Sequence, residues 1–271
     1  MSNLIKWSGS KDSQAKTIIE FFPRKIDIYY EPFLGGGSVF LKLLESDWII
    51  NKFILSDLNE ELIGIYNLIK NDPNKLIDTY KKHYKDFNLL DIQHRKNYFN
   101  EIRTNFNINR NPEDFYWIMR TTTNGMPRYN RKGYFNNSCH FSRPGMEPKD
   151  VSNLILKYHN LFKNKDITFI NQSYENMNIT QNDLIYMDPP YTQTKGMYFG
   201  GFDNTKFIKW LNNLECNWCL SYDGKVNDEK VKHTSPNYKR HEYLISGNSS
   251  FRRVIGNSND SIIHESLYIN Y

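Results

Sequence analysis

The sequence predicts an α/β fold: a doubly wound, Rossmann-like sheet into which a smaller, mostly helical module is inserted. Three observations predict it. Strand-like and helix-like segments alternate over residues 25–70. A glycine cluster joins the first strand to its helix. A polar, basic stretch then interrupts the pattern before strands resume.

The elements follow in order. Lys25–Glu31 (KIDIYYE) is rich in β-branched and aromatic residues and reads as a strand. Gly35, Gly36 and Gly37 come next, then an apolar-periodic helix over Ser38–Leu44. Phe53–Ser56 reads as the second strand, ending at Asp57, and from Asn59 the run EELIGIYNLIK is helical. From Asp72 to Pro148 the chain turns polar, aromatic and basic. Helical stretches are predicted near Leu76–Tyr84, Asp91–Phe106 and Pro112–Arg120, followed by an irregular segment over Thr121–Pro148. Strands are expected again at Asp166–Ile170, Asp183–Met187, Trp218–Tyr222, Tyr238–Ile245 and Ile262–Ile269. The predicted domains are a core of residues 1–70 and 165–271 and an insert of residues 71–164.

Composition narrows the class. Hydrophobic residues are 39% of the 271, enough for a sizeable core, and charged residues are 24%, so disorder is not expected. The net charge of +5 is compatible with a nucleic-acid partner without requiring one. The cysteines are Cys139, Cys216 and Cys219, an odd and low count that argues against a disulfide framework. Cys216 and Cys219 form a C-x-x-C, but inside CNWCLSY, which reads as a buried strand; core packing is expected there, and no metal. The N-terminal MSNLIKWSGSK lacks an apolar run, and no later run is long enough to span a bilayer. An intracellular protein without membrane contact is expected.

The segment Glu31-Pro32-Phe33-Leu34-Gly35-Gly36-Gly37-Ser38 lies between a strand and a helix, where glycines let the backbone turn tightly and approach a ligand. Asp57 follows about 20 residues later, the place of a ribose-binding carboxylate. A plain turn with Ser38 as helix cap is the alternative. A nicotinamide or flavin site is disfavoured, because Phe40 stands where the third glycine of G-x-G-x-x-G belongs. Glu31 would also repel a pyrophosphate, whereas it suits a sulfonium or ammonium cation. That points to S-adenosylmethionine.

Asp188-Pro189-Pro190-Tyr191 directly follows the strand DLIYM, at the carboxyl end where α/β sheets place ligands. The two prolines remove donors and leave turn carbonyls to face a ligand. An adenine amino nitrogen is a poor nucleophile, because its lone pair is delocalised into the ring. Asp188 and the Pro189 carbonyl can accept its N–H bonds, and Tyr191 can stack on the base.

These motifs resemble the Dam-type, D12-class adenine-N6 DNA methyltransferases. Trp7-Ser8-Gly9-Ser10-Lys11 is similar to the family's W-x-G-x-K, Glu31–Phe40 to its E-P-F-x-G-x-G-S-V-F, Leu55–Asn59 to its L-x-D-x-N, and Asp188–Tyr191 to its D-P-P-Y. The resemblance covers nearly the whole chain. It implies a methyltransferase core with an inserted target-recognition domain, and transfer of methyl from S-adenosyl-L-methionine, leaving S-adenosyl-L-homocysteine, to N6 of a flipped-out adenine in double-stranded DNA. Trp7, Lys11, Glu31, Phe33, Gly35, Gly37, Ser38, Asp57 and Asp188 are then cofactor residues. Asp188, Pro189, Pro190 and Tyr191 are then the catalytic set. Ser173-Tyr174 stands where the family often has an acid followed by an aromatic that touches the cofactor adenine; serine replaces the acid here.

In the insert, Thr123-Asn124-Gly125-Met126-Pro127-Arg128-Tyr129-Asn130 resembles the family's Y-N-G-x-x-R-x-N, with Thr123 in place of the aromatic. The resemblance makes Asn124, Gly125, Met126, Arg128 and Asn130 DNA-facing. Arg128 would read a base edge, and arginine suits the O6 and N7 of guanine. Asn130-Arg131-Lys132-Gly133 reads as a hairpin turn carrying phosphate-contacting charges. Arg143 is the candidate second reading arginine, and Arg252 and Arg253 the candidate phosphate contacts in the polar segment Ser246–Ser261. The resemblance leaves room for a cognate restriction endonuclease acting on the same site, and for a virus- or phage-encoded enzyme. Rival readings are a cytosine-N4 methyltransferase (where serine commonly stands at the position of Asp188), an RNA adenine methyltransferase, an inactive DNA-binding homologue, and a nucleotide-dependent oxidoreductase.

Overall fold

The computed structural model describes residues 3–143, 145–190, 202–226, 229–231, 233–246 and 263–271. In chain order the elements are α1 (Ala15–Ile19), β1 (Lys25–Glu31), α2 (Ser38–Leu44), β2 (Ile49–Asp57), α3 (Glu60–Asn71), α4 (Pro73–Asn88), α5 (Ile92–Asn109), α6 (Pro112–Thr121), α7 (Pro148–Lys163), β3 (Asp166–Asn171), β4 (Leu184–Met187), α8 (Asn204–Asn212), β5 (Asn217–Val226), β6 (Glu229–Lys230), β7 (Arg240–Ser246) and β8 (Ile263–Ile269). The chain forms two compact units. A sheet unit comprises Gly9–Leu58 and Gln172–Tyr271, and a helical unit comprises Met1–Ser8 and Asn59–Asn171.

Within the sheet unit the strand order is β2-β1-β4-β5-β8-β7, with β6 beside β5. The pairs β1–β2, β1–β4 and β4–β5 are parallel, and β8 runs antiparallel to both β5 and β7. The chain moves from β1 to one side, into β2, and later returns on the other side as β4. The crevice beyond the carboxyl ends of β1 and β4 is therefore a topological switch point, where such sheets bind ligands. One face of the sheet is covered through Tyr30, Ile185, Met187, Trp218 and Leu220, packed with Phe207, Ile208 and Leu211 of α8. Burial of large side chains of this kind, at roughly 25 cal/mol per Å2 of apolar surface, is what holds such a layer in place. Cys216 and Cys219 are buried free thiols in this region, and burial pushes Cys216 up to about 12.

The helical unit is built around Trp117 of α6, whose ring meets His83 at 5.0 Å, Phe87 at 5.6 Å, and Tyr98 and Phe99 at 5.9 Å each. Its helices start where the sequence supplies caps. Asn59 accepts from the Leu62 N–H at 2.7 Å, Asp72 from Lys75 at 3.3 Å and Asp91 from His94 at 3.0 Å.

The compact units divide the chain after Ser8, Leu58 and Asn171, because α3 and β3 associate with the helices: Tyr66 stacks on Phe169 at 5.0 Å, and Phe162 of α7 meets Phe169 at 5.4 Å. Ser38 does not cap α2. Gly37 occupies the cap position with a left-handed φ of 66°, and Ser38 opens the helix. The sequence reading also leaves α1, α7 and α8 unassigned, although α7 carries an apolar stripe of Val151, Ile155, Tyr158 and Phe162.

Candidate active site and DNA-reading arm

The motifs of the sheet unit converge at the switch point. The register sets Tyr30 beside both Ile54 and Ile185, so Glu31, Asp57 and Asp188 all lie at the same carboxyl edge. Lys11 is buried, with its Nζ 2.7 Å from Asp188 Oδ2, 3.6 Å from Glu265 Oε2 of β8 and 3.3 Å from the Gly9 carbonyl. One ammonium thus faces two carboxylates in a poorly solvated place, where removing one partner leaves a costly unpaired charge.

Glu31 is buried beside this pair. It accepts from the Tyr29 hydroxyl at 2.7 Å and from the Phe40 backbone N–H. Burial pushes its carboxyl from 4.5 up to about 8, and Asp188 pushes the same way. Near neutral pH this favours the protonated acid, whereas the sequence pattern alone suggests a carboxylate.

The glycine loop is braced from below. Gly35 and Gly37 have φ of 47° and 66°, a region that glycine enters without strain. The Gly35 N–H donates to Asp57 Oδ2 at 3.0 Å, and the Ser38 hydroxyl pairs with that of Ser10 at 2.8 Å. Phe33 meets Tyr174 at 5.5 Å, and Phe202 and Phe207 at 5.7 Å each. Ser173 accepts from the Glu175 N–H, capping a short turn. Residues that the sequence reading misses are Ser10, Tyr29, Phe202, Phe207 and Glu265. Ser10, Phe202, Phe207 and Glu265 touch a motif residue from a distant segment, and no local pattern marks such a contact. Tyr29 lies two residues before Glu31 on β1, where the period of two of a strand puts both on one face.

Trp7 belongs to the helical unit, its ring edge-on to Phe115 at 6.4 Å. The predicted hairpin is present there. Tyr129 and Phe135 bridge antiparallel, and the Asn130 N–H donates to the Tyr134 carbonyl at 2.8 Å. The Asn130 side-chain oxygen accepts from Lys132 at 2.9 Å and Tyr134 at 3.1 Å, so that oxygen is used within the turn. Gly125 takes φ +59°, and a Cβ there would lie 2.7 Å from the Lys6 side chain and 2.9 Å from its carbonyl. Arg128, Arg131, Lys132 and Arg143 are exposed, and Met126 is half-buried. Among the described residues none of these four cations has an ion-pair partner. Tyr191, Arg252, Arg253 and the Asn124 side chain lie outside the described residues.

The sequence pattern of the D12 class N6 adenine-specific DNA methyltransferases matches residues 7–250. The chain belongs to this family. It is 31% identical over 208 residues to Type II methyltransferase M.MjaIII of Methanocaldococcus jannaschii, covering 69% of this chain and 68% of that protein. Type II methyltransferase M.CviBI of Paramecium bursaria Chlorella virus NC1A is 29% identical over 259 residues, covering 86% and 90%. The DNA adenine methylase of Vibrio cholerae serotype O1 is 33% identical over 193 residues, covering 69% and 64%. This methyltransferase has no helix among the described residues long and apolar enough to cross a membrane, and no described group of three or more His, Cys, Asp or Glu residues placed to hold a metal.

Proposed function

We propose that this enzyme transfers the methyl group of S-adenosyl-L-methionine to N6 of an adenine turned out of duplex DNA. The carrying observation is the ion pair of buried Lys11 with half-buried Asp188, beside Glu31 at the switch point. The residues suit the cofactor. Asp57 can take the ribose hydroxyls while bracing Gly35, the Phe33–Tyr174 pair offers an adenine its faces, and Glu31 offers a latent carboxylate to a cation. When bound, the cofactor supplies an electrophilic methyl on a positively charged sulfur, with a neutral thioether as leaving group.

The chain's own residues do the rest. Asp188, held by Lys11, and the Pro189 carbonyl accept the two amino N–H bonds and draw the nitrogen toward a pyramidal shape. Its lone pair is then aimed, and positioning supplies much of the rate. Once the new bond forms, the nitrogen, now positively charged, gives one proton to solvent water, directly or by way of the Asp188 carboxylate that accepts its N–H bond. Tyr191 stacks on the base, whose extrusion costs roughly a few kcal/mol. In the helical unit Arg128 reads a base edge, Asn124, Gly125, Met126 and Asn130 frame the vacated space, and Arg131, Lys132 and Arg143 meet phosphates or a second base; Arg252 and Arg253, elsewhere in the sequence, are assigned further phosphate contacts. A restriction endonuclease sharing the site is the partner suggested by relatives named as Type II methyltransferases.

Labelled methyl transfer tests this reading. The purified chain is incubated with methyl-labelled S-adenosylmethionine and either mixed-sequence duplex DNA or RNA of the same sequences. Label confined to one short DNA motif is expected; label in RNA, or none in either polymer, would overturn the assignment.

A further inference from the structure

α5 is a poorly amphipathic helix, burying only Phe99 and Phe106 among its eighteen residues, and its composition is polar and basic. A helix with so narrow an apolar stripe has little reason to pack by burial alone. Its polar side chains have another use. Arg95 Nη1 donates to the Phe141 carbonyl at 3.2 Å, Arg103 Nη1 to Asn137 at 3.0 Å, Asn107 Nδ2 to Phe135 at 3.0 Å, and Arg110 Nη2, at the end of the helix, to Gly133 at 2.7 Å. The Phe135 N–H donates back to Asn107 Oδ1 at 2.7 Å. As the donors advance from 95 to 110, the acceptors retreat from 141 to 133. At about 100° per residue these donors share roughly one third of the helix circumference.

The segment that receives these bonds is the second half of the arm read as the DNA reader. It forms no regular strand: isolated bridges join Thr122 to Cys139 and Tyr129 to Phe135, with backbone bonds from Thr123 to Ser138, His140 to Thr121, Asn136 to Arg128 and Asn130 to Tyr134. Asn107 engages both the N–H and the carbonyl of Phe135, as a neighbouring strand would. Arg110 holds a left-handed φ of 54°, unusual for a residue with a side chain, while its guanidinium joins Glu61 at 3.1 Å to Gly133. Arg95 also grips the carbonyls of Phe87, Asn88 and Leu90, tying its end of α5 to the turn after α4.

We infer that α5 is a rail that sets the register and pitch of the reading arm, making Arg103, Asn107 and Arg110 positioning residues for sequence choice. This rests on the reading of the arm around Arg128 as the DNA reader. The side chains on the rail act on the peptide backbone of the arm, so their contribution is geometric. Loosening them lets Arg128 and Arg143 meet more than one base pattern.

The test compares Asn107→Ala, Arg103→Lys and Arg128→Ala with the wild type on mixed-sequence duplex DNA, mapping methylated positions. The readout is discrimination between the preferred site and its single-base neighbours. S-adenosylmethionine affinity, the salt dependence of DNA binding and thermal unfolding are measured alongside. Arg103→Lys keeps the charge, so lost phosphate attraction cannot mimic the effect. Asn107→Ala is expected to lower discrimination by roughly tenfold and Arg103→Lys by about threefold, with cofactor affinity and salt slope unchanged. If Asn107→Ala does not fold, Arg103→Lys decides alone. Discrimination within about twofold of wild type in the rail variants, while Arg128→Ala lowers it, overturns the rail and leaves the arm reading standing. Unchanged discrimination in Arg128→Ala as well removes the arm reading, and the rail falls with it.

Discussion

The two units are put together by different means. In the sheet unit, strands end in loops whose carboxylates are buried or half-buried and each bound to a neighbour: Asp188 to Lys11, Glu31 to Tyr29, Asp57 to the Gly35 N–H. In the helical unit, the arm shows its cations to solvent and is held from behind through its main chain. The difference matches the tasks. Transfer needs groups fixed in a poorly solvated place, where electrostatics are strong, whereas reading needs donors free to meet bases and phosphates.

The sharpest way to break this division is Asp188→Ala. Turnover is expected to fall by about 1,000-fold or more, while cofactor and DNA affinities stay within a few-fold. Near-normal turnover, measured under single-turnover conditions, would end the transfer role of the sheet unit. Asp57→Ala is next. It removes both the proposed ribose acceptor and the brace on the Gly35 N–H, so calorimetry should show cofactor affinity falling by roughly 10- to 100-fold. DNA affinity should not change, and a parallel loss of DNA binding would show that the units do not divide the work.

Arg128→Ala should lower discrimination by about tenfold with little loss of overall affinity. The double variant Arg131→Ala, Lys132→Ala should do the reverse, weakening all sequences alike and shallowing the salt slope by about two. Equal effects of the two on discrimination would erase the distinction between reading and gripping. The smallest expected effect concerns Glu31. Its folded carboxyl is raised to about 8, so the folded chain keeps a proton that the unfolded chain releases near 4.5. Stability should therefore decline as pH rises through that window and level off above it. Cofactor affinity should climb over the same window, because a cation favours the ionised acid. Glu31→Gln should flatten both trends; an unaltered pH profile would place the proton elsewhere.

Legibility followed the same division. β1 and α2 were readable to the residue, and the switch-point carboxylates stood in contiguous motifs, because strand, turn and helix each impose a local pattern. Ser10 and Glu265 were not readable, since each meets its motif partner only through the fold; Tyr29 was overlooked although the period of two of a strand sets it on the face of Glu31. In the helical unit the hairpin at Asn130–Gly133 was visible from its turn residues. The role of α5 was hidden, because a side chain bonded to a carbonyl leaves no mark on the residue that accepts it. The extent of the helical unit was hidden for a related reason: α3 follows β2 as a crossover helix would, yet its packing on α4, α6 and α7 ties it to the helices.

Which atom takes the methyl is answered by DNA modified by this enzyme with labelled S-adenosylmethionine, digested to nucleosides and separated. All label is expected in N6-methyldeoxyadenosine; label in N4-methyldeoxycytidine would contradict the role given to Asp188 and the adenine it is meant to hold.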